Sequence, residues 1–210
     1  MKQGLEEKYS AVFQQQLEDN IIERIPLTED AKTNNIWVPH RPVIREDCVS
    51  SKIRPVFNCS LKTKRDLPSI NEAAYPGVDL MNSLVQLLIR FRLHKFSLLA
   101  DVKQAFLQIK LKKEEDRNRF SFLLRKGSKL IAFRYTTIVF GFVSSPFVLN
   151  YIIQLHAQRF QADLCSEMLL HHFYVDNLVM SHSSPEVLLS LYQAASSRMC
   201  KYVIFLIPQC

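Results

Sequence analysis

The chain has 210 residues, of which 48% are apolar and 22% charged, a composition typical of a globular protein and not of a disordered one. No window reaches the roughly 18 consecutive apolar residues of a membrane span, and the first ten residues lack the apolar stretch of a secretory signal. The formal net charge of +7 favours a polyanion partner, nucleic acid first, although a soluble protein with an incidental basic balance fits equally well.

The N-terminal third predicts a helix followed by two strands. Residues 5–25 have the amphipathic pattern of a helix, which Pro26 and the polar run after it end. Residues 36–46 and 52–60 are rich in Val, Ile and aromatic residues. Each segment also contains proline, so we expect edge strands or irregular pairing.

A long loop and a helix follow. Residues 60–78 predict a loop with little regular structure, and loops of that length in compact proteins are usually functional. Residues 79–92 predict a helix with Asp79 at its start and arginine at its end, as the helix dipole favours.

The second half alternates strands and helices. The predicted elements are a buried strand over 95–102, a hairpin over 119–125 and 129–136, a helix over 144–160, a second hairpin over 169–175 and 178–182 around Asp176-Asn177, and a helix over 184–199. For the helix over 144–160, Ser145 suits the N-cap and Pro146 the first position. The mixture predicts an α+β fold in which helices cover one face of an antiparallel sheet.

Cysteine and histidine usage argues against a soft-metal site. The five cysteines are scattered and form no CxxC pair: Cys48, Cys59, Cys165, Cys200 and Cys210. We therefore expect a reduced intracellular chain without a disulfide framework or a cysteine-based zinc site. His171 and His172 are adjacent, so on a strand their rings point to opposite faces and a shared metal is the weaker hypothesis.

Two aspartates occupy matching contexts. Asp101 ends the apolar strand FSLLA, and Asp176 lies at the tip of the apolar hairpin FYV/LVM. If both lie at one end of neighbouring strands, their carboxylates repel unless a cation neutralises them, and Mg²⁺ suits such oxygen ligands. In the alternative reading Asp101 is a helix cap and Asp176 a turn residue.

Three blocks around these aspartates resemble the palm of reverse transcriptases: ADVKQAFLQI, TTIVFGFVSSPFVLN and YVDN, in the family's order. Upstream, VPHRPVIRE, KIRPVFNCSLKT and YPGVDLMNSLVQLLIRFRLHK are similar to the fingers and upper palm of BEL/Pao-type LTR retrotransposon polyproteins. The resemblance covers roughly residues 5–199. It implies an α+β fingers-and-palm fold, with an antiparallel palm sheet backed by helices and the thumb missing.

The resemblance also implies a division of the chain. Residues 1–30 would form an N-terminal helix leading into the fingers, and residues 31–95 the fingers and upper palm. Residues 96–199 would form the palm with the catalytic motifs. Residues 200–210 are an apolar tail that does not align and looks like a frameshift, a misjoined exon or a truncated copy.

Site residues follow from the same resemblance. Asp101, Asp176 and Asn177 take the catalytic positions, and Asp101, Asp176 and the carbonyl of Val102 would face the metal. The nucleotide-binding set is Arg54, Phe106, Phe140 and Gly141, and the primer and template set is Tyr174, Ser145 and Pro146. Phe106 would be a steric gate against the 2′-hydroxyl, although core packing explains it too, and Gly141 is also simply a turn glycine. Less specific phosphate contacts, for each of which a solvated charge is the simpler explanation, are Arg41, Lys52, Lys62, Lys64 and Arg65.

The implied function is RNA-directed DNA polymerase activity, with Mg²⁺ or Mn²⁺ as cofactor and dNTPs and an RNA or DNA template-primer as partners. No membrane partner is expected, the location would be a cytoplasmic retrotransposon particle, and the oligomeric state is open. Two departures support a second hypothesis, a catalytically inactive nucleic-acid-binding remnant. Asn177 replaces the third aspartate of many relatives, and the chain stops before the thumb. A third hypothesis, an unrelated ferredoxin-like enzyme, requires the ordered blocks to be coincidence.

Overall fold

The structure is a computed structural model that describes residues 3–44, 53–159, 164–200 and 206–208. The described helices are α1 Gln3–Glu18, α2 Glu29–Asn34, α3 Ile70–Ala73, α4 Leu84–Phe91, α5 Glu114–Arg117, α6 Ser145–Arg159, α7 Leu164–His171 and α8 Pro185–Cys200. The described strands are β1 Ile22–Ile25, β2 His40–Ile44, β3 Ile53–Phe57, β4 Phe96–Val102, β5 Ser121–Lys126, β6 Lys129–Tyr135, β7 Phe173–Tyr174, β8 Asn177–His182 and β9 Leu206–Pro208. Within these ranges no helix has both the length and the apolar character needed to cross a bilayer.

The chain forms two compact units that are not contiguous in sequence. Unit 1 consists of Met1–Tyr75 and Ile109–Ser145, and unit 2 of Pro76–Gln108 and Pro146–Cys210. The division into fingers and palm at residue 95 stays a prediction.

Unit 1 is built on two antiparallel sheets. One has the order β1-β6-β5, and the other is the hairpin β2-β3. β5 and β6 are joined by Gly127 and Ser128, and Gly127 has φ 61°, a conformation that glycine adopts without strain. In the pair of β2 and β3, Pro42 lies opposite Pro55, and the bond from the Asn58 N–H to the Pro39 carbonyl sets an alternation in which this position is a non-hydrogen-bonded pair, so neither proline removes a donor from the pairing.

Aromatic rings form the core of unit 1. Phe122 is fully buried, and its ring centroid lies 5.0–5.6 Å from each of five other rings, those of Phe13, His40, Phe57, Phe133 and Tyr135. His40 reaches this core because both ring nitrogens have partners: Nδ1 pairs with the Tyr9 hydroxyl at 2.6 Å and Nε2 with the Leu123 carbonyl at 3.0 Å. Burial lowers the pKa of His40, which favours the neutral ring in this cluster.

Unit 2 is built on one four-stranded antiparallel sheet with the order β7-β8-β4-β9. Ala100 and Val102 of β4 and Leu178 and Met180 of β8 are buried on one face. α8 packs on both central strands, while α6 contributes buried side chains such as Leu149 to the core of this unit. The predicted α+β class, with helices backing an antiparallel sheet, is confirmed.

The predicted helix over residues 5–25 is too long. α1 ends at Glu18, and Ile22–Ile25 forms β1, which pairs with β6. Asn20 has φ 55°, a conformation that asparagine tolerates, and it reverses the chain between helix and strand. The spacing of Ile21 and Ile22 fits either element, and burial against β6 decides for the strand.

The helix predicted over 79–92 begins later than expected. α4 begins at Leu84, so Asp79 lies outside the helix and does not act on its dipole. Instead the Asp79 carboxylate accepts a hydrogen bond from the Met81 backbone N–H at 2.9 Å, a local turn that competes with helix formation. Arg90 does lie in the last turn, as expected.

Four further helices, α2, α3, α5 and α7, were not predicted. α2 and α3 begin at side-chain caps, Thr28 and Ser69; α2 lies in the polar run that was expected to end the first helix, and α3 lies in the segment predicted as a loop. Ser69 and Glu72 form a capping box, which sequence inspection missed. α7 takes residues 169–171, which were predicted as strand, so only Phe173–Tyr174 remains for β7.

The aromatic core of unit 1 makes a stability prediction. We expect Phe122→Ala to lower the free energy of unfolding by about 3–5 kcal/mol, because it leaves a large cavity. Leu123→Ala is the matched control on the same strand, since Leu123 is 39% exposed, and it should cost about 1 kcal/mol or less. Urea unfolding followed by circular dichroism measures both, and equal losses would contradict this description of the core.

Candidate functional site

Strand pairing in unit 2 brings the predicted catalytic residues together. In the antiparallel pair of β4 and β8, Asp101 lies directly opposite Asn177. Directly opposed residues share one face of a sheet, with Cβ atoms about 4.5–5.5 Å apart. Asp176 precedes Asn177, and its carbonyl accepts a hydrogen bond from the Val102 N–H at 2.9 Å. A backbone hydrogen bond therefore joins the end of β4 to the turn before β8.

The turn that carries Asp176 is strained. Val175 and Asp176 form the two-residue connection between β7 and β8, and Val175 has φ 56°. A β-branched residue in this region is a genuine outlier, because its Cβ crowds the backbone. The pairing of Tyr174 with Asn177 and the bond from Val102 fix the turn from both sides, so the strain persists. No sequence signal indicated that Val175 carries this role.

Asp176 is half-buried, and burial raises the pKa of its carboxyl group. The Asn177 side-chain amide donates a hydrogen bond to the Asp176 carboxylate at 2.9 Å. An aspartate at position 177 would place a second negative charge there instead of a donor. Asn177 therefore stabilises an ionised Asp176 by a contact that a carboxylate cannot make.

The sheet gives this site a rigid base and an open face. Residues adjacent to Asp101 in β4, Ala100 and Val102, point to the buried face and are at most 1% exposed. Asp101 alternates with them and so points to the other face, where Leu99 is 38% exposed. A ligand that approaches Asp101 meets side chains anchored by a packed sheet.

The donor set suits a hard cation. It consists of oxygen atoms: two carboxylates, the amide oxygen of Asn177 and the carbonyl of Val102. No group of three or more histidine, cysteine or acidic side chains suited to a metal occurs in the part of the chain that the structure describes. Mg²⁺ is commonly held by one or two carboxylates and completes its shell with water and substrate phosphates, whereas structural zinc needs four protein ligands. The residues present therefore fit Mg²⁺.

Phe106 lies just beyond Asp101 in the 3₁₀-helix Ala105–Gln108. Gln104, with φ 51°, turns the chain out of β4, and its carbonyl accepts a hydrogen bond from the Leu107 N–H at 2.7 Å. Phe106 is 5% exposed. This burial is compatible with both roles considered for the ring, core packing and a wall against a sugar.

Gly141 belongs to unit 1, where its lack of a side chain is needed for a close backbone approach. It has φ 91°, and a Cβ atom there would lie 2.8 Å from the carbonyl oxygen of Phe57. Asn71 donates to the Gly141 carbonyl and accepts from the Val143 N–H, both at 2.9 Å. Asn71 thus fixes the loop that carries Gly141 and Phe140, a role for which the sequence contains no recognisable signal.

The other predicted contact residues are accounted for as follows. Arg54 is exposed on β3, opposite Val43, and Phe140 is 49% exposed. Tyr174 is the last residue of β7 and pairs with Asn177. The predicted cap role of Ser145 is wrong: it is the first residue of α6, immediately before Pro146, and its buried hydroxyl donates to the Val139 carbonyl at 2.8 Å.

The generic basic residues are at the surface of unit 1. Arg41, Lys64 and Arg65 are exposed, and Lys62 forms an ion pair with Glu72 at 2.9 Å. Lys52 lies outside the described residues. Exposed positions suit contact with a polyanion, and they equally suit solvated charges.

Two comparisons with known proteins bear on this arrangement. A sequence profile of the family described as reverse transcriptase (RNA-dependent DNA polymerase) matches residues 41–208. Among solved structures, the chain is similar to the crystal structure of the prototype foamy virus protease-reverse transcriptase, a selenomethionine-labelled CSH mutant. The TM-score is 0.66 at 15% sequence identity, with 94% of this chain and 22% of that chain covered. No curated protein matches the sequence.

At 15% identity the structural likeness shows the fold alone, and this chain spans about a fifth of the foamy virus chain. The family profile carries the assignment, because it matches most of the chain and includes both Asp101 and Asp176. Two aspartates lie at a pair of neighbouring strands, the fold is shared with a reverse transcriptase structure, and the family profile covers residues 41–208. The chain therefore belongs to the reverse transcriptase (RNA-dependent DNA polymerase) family.

Proposed function

We propose that this chain is the fingers and palm of an RNA-directed DNA polymerase from a BEL/Pao-type retrotransposon, and that it adds deoxynucleotides to a primer 3′-hydroxyl. The observation that carries the proposal is the register of β4 and β8, which sets Asp101 opposite Asn177 and beside Asp176. The net charge of +7 supports a nucleic acid template-primer as the partner.

Asp101, Asp176 and the Val102 carbonyl would hold divalent ions, Mg²⁺ or Mn²⁺. Ions held there would supply the positive charge that activates a hydroxyl nucleophile and stabilises a pyrophosphate leaving group. The protein contributes position: β4 and β8 fix the carboxylates, and the Val102 N–H holds the Asp176 backbone in place. Burial of Asp176 lowers the local dielectric constant, which strengthens its attraction to a cation.

The remaining residues would bind the nucleotide and the template-primer. Arg54 presents a guanidinium that can bridge two phosphate oxygens of the triphosphate. Phe106 would exclude a 2′-hydroxyl, and the loop of Phe140 and Gly141, held by Asn71, would contact the nucleotide. Tyr174 would lie near the primer end, with Ser145 and Pro146 beneath the template.

The second candidate function is an inactive nucleic-acid-binding remnant, favoured by the amide at position 177. Asn177 supplies a ligand oxygen but one negative charge fewer than an aspartate, so the affinity of the site for a divalent cation falls. The hydrogen bond from Asn177 to Asp176 argues for a site that is weakened and still ordered.

Primer extension on an RNA template with Mg²⁺ separates the two functions. We expect extension by the native chain and a loss of at least about 100-fold in Asp101→Asn, equivalent to about 3 kcal/mol of transition-state stabilisation. Asp19→Asn, at an exposed position after α1, is the control for the same chemical change and should keep full activity. If the native chain binds template-primer but shows no extension, the remnant is the better description. Undiminished extension by Asp101→Asn would rule out the metal role.

The raised pKa of Asp176 makes stability depend on pH. Because the folded-state pKa exceeds the unfolded value of about 3.9, the carboxyl favours folding below that pH, and this contribution is lost as pH rises through the folded pKa. In chelator at pH 7, Asp176→Asn should therefore raise the midpoint of thermal unfolding by a small amount, and the difference should shrink toward pH 4. Millimolar Mg²⁺ should stabilise the native chain and not the variant. This account would be contradicted if Asp176→Asn had the lower unfolding midpoint in chelator at pH 7, or if Mg²⁺ raised the midpoints of the native chain and the variant equally.

The sugar-selection role of Phe106 has its own test. We expect Phe106→Ala to raise ribonucleotide incorporation relative to deoxynucleotides by about 10-fold or more, since removal of a steric clash is worth about 1–3 kcal/mol. Phe13→Ala is the control, because Phe13 is also buried, among the aromatic rings of unit 1, and its loss should affect stability only. Unchanged sugar selection in Phe106→Ala would leave core packing as the role of this ring.

A further inference from the structure

The strand that leads into the turn of Asp176 is short and lies at the edge of its sheet. The sheet order is β7-β8-β4-β9, and β7 consists of Phe173 and Tyr174. It pairs with β8 on one side, and the described residues place no strand on its other side. Two paired residues alone give little support to a turn that is strained at Val175.

The Phe173 carbonyl points away from β8. In an antiparallel pair, hydrogen-bonded and non-hydrogen-bonded positions alternate. The Val179 N–H bonds to the His172 carbonyl at 2.8 Å. The neighbouring pair of Phe173 with Leu178 is therefore a non-hydrogen-bonded one. Phe173 is 1% exposed, and a buried carbonyl without a donor is costly, so the outer edge of β7 needs a donor from elsewhere in the unit.

Asn82 supplies that donor. Its side-chain nitrogen lies 2.9 Å from the Phe173 carbonyl oxygen and 2.9 Å from the carbonyl oxygen of Leu170, in the last turn of α7. An amide nitrogen carries two N–H groups, so it donates to both carbonyls at once. The last carbonyls of a helix have no partner within the helix. One side chain therefore joins the end of α7 to the outer edge of β7.

Asn82 is itself held by rigid elements. The Gln154 side chain of α6 donates to the carbonyl of Leu80, two residues before Asn82, at 3.2 Å. Asn82 lies two residues before α4 begins, and α4 packs on β8. The Arg90 side chain, in the last turn of α4, donates to the His171 carbonyl at 3.2 Å. Both ends of α4 are thus bonded to the segment that includes β7.

We propose that Asn82 is a positioning residue for Asp176: it anchors the outer edge of β7 and thereby keeps the turn of Val175 and Asp176 in its strained conformation. This role rests on the proposed function, in which Asp176 binds a metal. Of the two central residues only Val175 has a positive φ, as in a type II′ turn, where glycine is usual at that position. Valine is disfavoured there, so loss of the anchor lets the strain move the turn, and Asp176 with it.

Amide hydrogen exchange in chelator tests the anchor without metal or catalysis. The reporter is the Val102 N–H, which bonds to the Asp176 carbonyl. We expect Asn82→Ala to lower the protection of this amide at least about 10-fold, because two carbonyls lose their donor. Amides of β4 farther from the turn should keep their protection. Unchanged protection at Val102 would overturn the role of Asn82, whatever the metal affinity of the chain.

A second change separates positioning from general stability. Val175→Gly removes the strain, because glycine adopts a positive φ readily. Asn82→Ala combined with Val175→Gly should therefore recover most of the Val102 protection. Asn150→Ala is the matched control, since the buried Asn150 amide donates to the Pro146 carbonyl of its own helix, α6, at 2.9 Å. It should lower overall stability, and Val175→Gly should not restore what it loses. Absence of recovery with Asn82→Ala, or equal recovery with Asn150→Ala, would contradict the proposal.

Mn²⁺ affinity, measured by electron paramagnetic resonance, connects the anchor to the site. Asn82→Ala should weaken Mn²⁺ binding about 10-fold, at the lower end of the losses typical of residues that orient metal ligands, and Val175→Gly should restore it. Full Mn²⁺ affinity in Asn82→Ala would break the link to Asp176. If the native chain binds no Mn²⁺, the proposed function fails, and hydrogen exchange at Val102 still decides whether Asn82 holds the turn.

An intermediate variant keeps the test open if Asn82→Ala is unfolded by circular dichroism. Asn82→Ser retains one hydroxyl donor, which can serve only one carbonyl. Its Val102 protection and Mn²⁺ affinity should both lie between those of the native chain and Asn82→Ala, and both should rise with Val175→Gly. Native values of both in Asn82→Ser, measured in place of Asn82→Ala, would overturn the proposal.

Discussion

The hydrogen-bonded register of β4 with β8 is the constraint on which the proposed active site depends. It places Asp101 opposite Asn177. On the other face of the sheet it buries four side chains, those of Ala100, Val102, Leu178 and Met180. Because side chains alternate across a strand, a register shift of one residue would move Asp101 into that core. The burial of those four side chains therefore selects the register, and the register in turn positions the carboxylate on the open face.

In the turn before β8, unlike in the paired strands, local stability is lowered, and the result is a fixed position for the Asp176 carboxylate. Val175 adopts a strained backbone conformation, and burial removes part of the hydration of the Asp176 carboxylate, which disfavours its charged form. Both costs are offset by contacts around them, the Val102 N–H bonded to the Asp176 carbonyl and the Asn177 amide bonded to its carboxylate. Half-buried charges on strained turns are typical of functional sites, and here they coincide with a family motif.

Local sequence patterns correctly predicted the elements whose structure depends mainly on interactions between residues close together in the chain. The hairpin at Gly127-Ser128, strand β4 and the final helix follow from alternation, turn residues and helix-start signals, and Asp101 and Asp176 stood out because they interrupt apolar strands. Choices made by tertiary contacts were missed. Ile22 fits a helix by spacing, but its pairing with Tyr135 makes it a strand, and the role of Asn71 depends on a loop 70 residues away. The positive φ of Val175 was equally hidden, since valine carries no signal for that conformation.

The central claim is that Asp101 and Asp176 form a binding site for a divalent cation. Binding of Mn²⁺, measured by electron paramagnetic resonance, tests this most directly, because it does not require catalysis. The account predicts that the native chain binds Mn²⁺, that Asp101→Asn and Asp176→Asn each weaken binding strongly, and that Asn177→Asp tightens it by adding a charge at the same site. Binding that is unaffected by either aspartate change would contradict the account, since the ion would then be held by other residues.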